Sequence, residues 1–327
     1  MKTRAFGKTG LQVSELAMGG LFVSNTGGAR ERAIAAIHRA LELGVNYVDT
    51  APGYHDSEEV IGQALEGVSP QPIVSTKLGY FPQPFEPLNK DFLRRSVDNS
   101  LRLLKRDWVD ILMIHEPDRR APQFFDWWTD YDNYRGPVLD LLLELKEEGI
   151  AKHIGLGGTT PYAMPPIIRT GHYDVLLTAF QYSLLWREAE WEVLPAAIEQ
   201  GLGIIIGSPL QQGWLEDRFD DQFATLRPSA VPLPRQRQLQ ALYSYLDEIN
   251  LPITEVALRF VISNPNISTT LMGARSPQQV EQNAASIEKG PLPPEALAAL
   301  KEIAAMVPFR PYEESYGMPF QRKPSNE

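Results

Sequence analysis

Apolar residues along this chain alternate between two rhythms. Short, nearly continuous apolar runs occupy 15–21, 45–49, 73–77, 108–115, 153–157, 175–181, 203–208 and 269–272. Between them lie longer segments whose apolar positions return every three or four residues, at 30–43, 57–65, 89–104, 136–148, 162–170, 190–200, 235–249, 254–264 and 277–287. The first rhythm predicts buried strands and the second amphipathic helices. In the helix at 57–65, Glu58, Glu59 and Gln63 are expected to form the polar face. Eight strands, each followed by a helix, predict an α/β chain with a parallel sheet closed into a (β/α)8 TIM barrel. Residues 3–14 read as two extended pieces around Gly7-Lys8-Thr9-Gly10, a β-hairpin beneath that barrel. No shift in composition interrupts 1–327, so a single domain is expected.

Two connections are long. The loop at 116–135 carries Phe124, Phe125, Trp127, Trp128, Tyr131 and Tyr134, and the loop at 210–234 carries Trp214, Pro228, Pro232 and Pro234. Loops of this length in compact domains usually serve function. On a barrel they belong to the carboxyl-end face, where with the tail around Tyr312 and Tyr316 they would surround a mouth. Core packing beneath the loops is an equal expectation for each aromatic.

Ionisable residues stand where three successive strands reach that face. Asp49 ends the second, Lys77 the third and His115 the fourth, with Tyr54 on the loop after Asp49. Parallel strands open on the same side, so Asp49 and Lys77 can meet across the 28 positions that separate them. Taken alone, each has a structural explanation: a rim charge, a packed histidine, a helix cap, a packed ring. Together they suit proton transfer. A phenol of pKa ~10 is a poor acid at neutral pH. A neighbouring ammonium favours its phenolate, and a carboxylate behind that ammonium keeps it charged. His115 would hold the substrate oxygen against Tyr54 and stabilise alkoxide charge.

Composition narrows the rest. A formal charge of -10 and a pI of about 5.1 disfavour a nucleic-acid partner. With no cysteine there is no disulfide framework, thiolate nucleophile or Cys-bound metal. Neither a secretory h-region nor a membrane-length apolar run is present, so a cytoplasmic location is expected.

The chain resembles the aldo-keto reductases over nearly its whole length. The resemblance rests on Gly7-Lys8-Thr9-Gly10-Leu11-Gln12-Val13-Ser14 and on Gly44-Val45-Asn46-Tyr47-Val48-Asp49-Thr50-Ala51 with Tyr54 and Gly62. Lys77, His115, Ser208-Pro209-Leu210, and Gly273-Ala274-Arg275-Ser276 through Gln279 to Asn283 complete it. It implies an NAD(P)(H) cofactor lying extended across the barrel mouth, no metal, and hydride transfer to or from a carbonyl carbon with Tyr54, Lys77, Asp49 and His115 as the catalytic set. The implied cofactor contacts are Gly20, Leu21, Asp49, Gln181, Ser208, Leu210, Gly273, Arg275, Gln279 and Asn283. Gln181 matches the strand-six glutamine that holds the carboxamide in relatives. The chain departs from them at Gly157-Gly158, where many have Ser-Asn, and at Gly207, where a stacking aromatic is usual. Arg275 and Ser276 suit a 2′-phosphate, which favours NADP, with NAD possible; Gly273 and Gln279 replace a Lys and an Arg of NADP-committed relatives.

The expected partner is a small carbonyl compound or sugar, which Asp118, Arg119 and Arg120 would meet if it is polar. Two other functions stay open at this stage. One is a cofactor-binding barrel serving as a redox sensor or subunit with little turnover, and the other a Schiff-base aldolase using Lys77.

Overall fold

The computed structural model describes residues 1–80, 83–119, 126–223 and 231–310. Arg120, Phe124, Phe125, Pro228, Tyr312 and Tyr316 lie outside them.

Eight parallel strands close a barrel. They are β3 (Leu16–Gly19), β4 (Tyr47–Asp49), β5 (Ile73–Leu78), β6 (Val109–His115), β7 (Ala151–Gly158), β8 (Val175–Ala179), β9 (Gly203–Gly207) and β10 (Thr269–Met272). Neighbours follow chain order, and β10 pairs with both β9 and β3 to shut the ring. Outside lie α1 (Arg30–Glu42), α2 (Ser57–Ala64), α3 (Lys90–Leu104), α4 (Pro137–Glu147), α5 (Met164–Ile168), α6 (Val193–Glu199), α7 (Leu233–Ile249), α8 (Ile253–Ile262), α9 (Pro277–Glu288) and α10 (Pro294–Ala305). The helix α3 shows how the sequence sets such an element. Asn89 caps it by accepting from the Phe92 N–H at 3.1 Å, Lys105 ends it in the left-handed region, and Leu93, Val97, Leu101 and Leu104 share the buried side.

The strand runs look uniformly apolar because both faces are covered. Period two still sorts them. Ala17, Tyr47, Ile111, Met113, Val175, Leu177, Ile205 and Leu271 fill the barrel interior, while Met18, Val48, Val74, Leu112, Ile114 and Ile206 pack outward into the helical layer. Continuing the inward alternation by one step reaches Gly19, Asp49, Lys77, His115, Gly157, Ala179, Gly207 and Gly273 at the carboxyl rim. That parity places the three ionisable groups inside the barrel mouth.

The amino-terminal hairpin is present as β1 (Thr3–Ala5) paired antiparallel with β2 (Gln12–Ser14). It plugs the opposite end. Phe6 is fully buried, 5.8 Å from the Tyr47 ring, and a Cβ on Gly203 would come within 2.4 Å of it.

Three expected details are corrected. Gly20 and Leu21 do not extend β3 but begin a 3-10 turn, Gly20–Phe22, because Gly20 passes so close to β4 that a Cβ there would sit 2.6 Å from the Asp49 carbonyl. The strand β8 stops at Ala179 since Phe180 turns left-handed at φ 68°. Glu58 is not on a polar face: it is buried against the barrel and accepts from the Thr76 hydroxyl at 2.6 Å.

Among the described residues, no helix is long and apolar enough to cross a membrane.

Candidate active site

All eight inward rim residues line two adjoining cavities of about 350 and 250 Å³, which share Leu21, Tyr54, Leu177, Ala179, Ser208 and Gln212. Five of the eight are small, Gly19, Gly157, Ala179, Gly207 and Gly273, and they keep the mouth open. The remaining three are Asp49, Lys77 and His115.

Lys77 and Asp49 form a sealed pair. The ammonium donates to both Asp49 oxygens, at 2.9 and 2.7 Å, and to the Thr50 carbonyl at 2.7 Å, and each side chain is about 1–2% exposed. Asp49 is held in turn by the Ser75 hydroxyl at 2.7 Å, which accepts from Tyr47 at 2.7 Å. Ser75 and Tyr47 lie two residues before Lys77 and Asp49 on their strands, hence on the same inward face. Period two could have identified both as orienting groups.

Burial would drive the lysine pKa down, yet Asp49 and Tyr54 together outweigh it and hold the ammonium above its ordinary value. A Schiff-base nucleophile must be a free amine. Lys77, held charged by Asp49 and Tyr54 and donating to Asp49 and the Thr50 carbonyl, does not suit the aldolase alternative.

Tyr54 lies over this pair, with the Lys77 nitrogen 4.8 Å from its ring centroid. Burial raises the phenol pKa, Lys77 opposes by charge and hydrogen bonding, and the net direction is upward. Lys77 acts on the phenol in the expected direction, lowering its pKa, but burial outweighs it. In the free protein the phenol keeps its proton, and Lys77 limits the cost of losing it.

His115 meets Tyr54 edge-on, with ring centroids 5.6 Å apart. Burial first, then the charges of Lys77 and Arg119, push the imidazole pKa well below its ordinary value, so the ring is neutral. Its Nδ1 is buried without a hydrogen-bond partner among the described residues.

Gly20, Leu21, Asp49, Ser208, Leu210, Gly273, Arg275, Gln279 and Asn283 all border the larger cavity. On its lining Arg275 stacks over the Phe22 ring at 4.4 Å and its backbone N–H donates to Gln279 Oε1 at 2.8 Å, while Ser276 caps α9 by accepting from the Gln279 N–H. Gly273 suits Phe22, since a Cβ there would lie 2.7 Å from the ring. Gln181 is not on the lining; its amide donates to the Thr159 carbonyl at 2.6 Å.

Other expected contacts lie elsewhere. Trp127, Trp128 and Trp214 are buried in the core and border neither cavity. Asp118 and Arg119 brace the loop after β7, Asp118 accepting from the Thr159 and Thr160 N–H groups and Arg119 donating to the Thr159 hydroxyl at 2.9 Å. Sequence reasoning missed Phe22, Tyr80, Glu116 and Glu216 on the cavity walls.

A cavity lined by Tyr54, by the small residues Gly19, Ala179, Gly207 and Gly273, and by Arg275, Gln279, Gln282 and Asn283 suits a nicotinamide cofactor: small residues admit a flat ring, and the polar side chains offer donors to ribose and phosphate oxygens.

A model of the Aldo/keto reductase family matches residues 15–305. The chain is 29% identical over 301 residues to L-galactose dehydrogenase of Arabidopsis thaliana, covering 88% of each. It is 27% identical over 320 residues to the NADH-specific methylglyoxal reductase of Escherichia coli (strain K12), covering 88% of this chain and 94% of that protein. The holo form of aldo-keto reductase AKR11C1 from Bacillus halodurans has a TM-score of 0.77 at 27% identity, over 96% of this chain and 100% of that one.

Proposed function

The chain belongs to the aldo/keto reductase family, and we propose that it interconverts a carbonyl compound and its alcohol with a nicotinamide cofactor, Tyr54 acting as general acid and base. One observation carries this reading: a phenol set over a sealed ammonium–carboxylate pair, with a neutral imidazole at its edge, on the wall of a cavity that also reaches Arg275, Gln279 and Asn283.

When bound, the cofactor supplies or takes the hydride at the carbonyl carbon. Tyr54, which holds its proton in the free protein, delivers it to the carbonyl oxygen, and the charge of Lys77 opposes the upward push of burial on the phenol pKa. Lys77 stabilises the phenolate left behind, and Asp49 with Ser75 keeps that ammonium charged and aimed. Neutral His115 holds the same oxygen by a hydrogen bond and so stabilises the charge that develops on it.

Arg275 supports NADP, because a guanidinium suits the oxygens of a 2′-phosphate. Glu216 on the same cavity favours NAD as a second reading, since its carboxylate repels a phosphate and accepts from a ribose hydroxyl. The similarity to an enzyme named for NADH specificity supports that second reading. An aldose or lactol is the substrate class supported by the similarity to L-galactose dehydrogenase.

Titration of the protein with NADPH and NADH, followed by aldehydes and aldoses in both directions, tests the proposal. Turnover that falls about 10²–10⁴-fold in Tyr54→Phe with cofactor affinity retained is the expected result. Undiminished turnover in that variant would remove Tyr54 from the chemistry.

A further inference from the structure

The smaller cavity carries an acid that the proton-transfer chemistry does not use. Glu116 follows His115 directly and lines that lobe beside Tyr54, Lys77, Tyr80 and His115. It is 8% exposed, and its N–H donates to the Gly157 carbonyl at 2.6 Å. Tyr80 lies against His115 with ring centroids 4.8 Å apart, and its hydroxyl donates to Glu116 Oε2. Arg119 Nε lies 3.6 Å from Glu116 Oε1.

The backbone here is unusual. Tyr80 at φ 72° and Glu116 at φ 54° are left-handed without being glycine, and so are Phe180 and Ser208 across the same lobe. Such residues are costly and persist where the surroundings over-determine them, a pattern that clusters at ligand sites. The left-handed turn at Glu116 sets its carboxylate on the cavity wall immediately after His115.

A carboxylate offers about four lone-pair directions, and Tyr80 and Arg119 engage two of them. The remainder can accept from a hydroxyl. We propose that Glu116, positioned by Tyr80, determines specificity by accepting a hydrogen bond from a substrate hydroxyl close to the reacting carbonyl. It thereby selects neutral, hydroxylated carbonyl compounds of the sugar type over aliphatic and anionic ones. The inference rests on the oxidoreductase reading above and deepens it. Binding sites built to pair with a hydroxyl discriminate strongly against analogues lacking it, because the buried acceptor is then left unpaired.

The matched probes are D-glyceraldehyde and propanal, equal in carbon number and differing in two hydroxyls, with glyoxylate as the anionic probe. Wild type is expected to favour glyceraldehyde. Glu116→Leu lowers its kcat/KM by about tenfold relative to propanal, mainly through KM, as expected for loss of a hydrogen bond to a charged group. Glu116→Gln keeps the volume and an acceptor oxygen but loses the charge; it retains part of the preference and admits glyoxylate more readily. A merely structural role would move glyceraldehyde and propanal together, and such parallel loss would overturn the proposal, as would an unchanged ratio in both variants. Turnover of none of these probes, nor of the wider aldehyde and aldose panel, by wild type with either cofactor would overturn the oxidoreductase reading and this inference with it. Turnover with no Glu116 effect would overturn the inference alone.

Discussion

Replacing Lys77 by Met tests the central pair through stability as well as catalysis. The side chain keeps much of its stem volume, but three donors disappear: those to Asp49 at 2.9 and 2.7 Å and to the Thr50 carbonyl at 2.7 Å. Asp49 is 1% exposed and, among the described residues, keeps the Ser75 hydroxyl at 2.7 Å as its remaining side-chain donor, so the variant strands a buried carboxylate. Breaking a buried ion pair from one side costs about 3–5 kcal/mol. That is a sizeable part of the roughly 5–15 kcal/mol typical of folded domains. Asp49→Asn added to Lys77→Met removes the stranded charge while keeping an acceptor for Ser75, and should recover about half or more of the loss. Urea unfolding of wild type, both single variants and the double variant closes the cycle, and aldehyde turnover on the same samples reads the chemistry. Stability should return in the double variant while turnover does not. A Lys77→Met loss below about 1 kcal/mol, the range of an exposed pair, would show that the pair is not sealed. A double variant turning over at the wild-type rate would remove Lys77 and Asp49 from the mechanism.

Three further outcomes follow from the same geometry. His115 has its pKa held well below the ordinary 6.5 by burial, Lys77 and Arg119. The unfolded chain takes up a proton there as pH falls through about 6.5 and the folded chain does not, so stability is full above that pH and declines below it by up to ~1.4 kcal/mol per pH unit. His115→Gln should reduce the slope of urea midpoints against pH between about 7.5 and 5.5; identical slopes would refute the assignment. Arg275→Ala should weaken NADPH binding by about tenfold or more and leave NADH nearly unchanged, while Glu216→Gln strengthens NADPH; fluorescence titration decides, and equal losses for both cofactors would deny Arg275 a phosphate role. Phe6→Ala, at the closed end of the barrel, should cost about 3–5 kcal/mol without moving KM, because it empties the plug beneath Tyr47; a loss below about 1 kcal/mol in urea unfolding would show the plug to be dispensable.

What could be read from the sequence divides along a physical line. The barrel and the meeting of Asp49, Lys77 and His115 were legible because strand period and strand direction are properties of the main chain, and each group ends a run whose parity faces inward. The same parity applied to Tyr47 and Ser75 recovers the groups behind Asp49. Loops obey no such period. Trp127, Trp128 and Trp214 carry one signal whether they wall a mouth or fill a core, and burial under long loops won. Gln181 follows the left-handed turn at Phe180, and one N–H of its amide donates to the Thr159 carbonyl. Glu58 was misread, for a carboxylate on an amphipathic helix reads as solvated until a strand hydroxyl, here that of Thr76, is found beneath it. Glu116 and Tyr80 were hidden for a different reason: glutamate and tyrosine do not advertise a left-handed backbone as glycine does, so no residue pattern announces the turn that brings them to the cavity. Asp49, Lys77 and His115 are placed by strand geometry shared across barrels, whereas the walls proposed to choose a substrate are placed by turns particular to this chain. The proposed specificity therefore has to be tested at Glu116 and Tyr80, where sequence pattern is least informative, and the proposed chemistry at Lys77 and Asp49, where it is most informative.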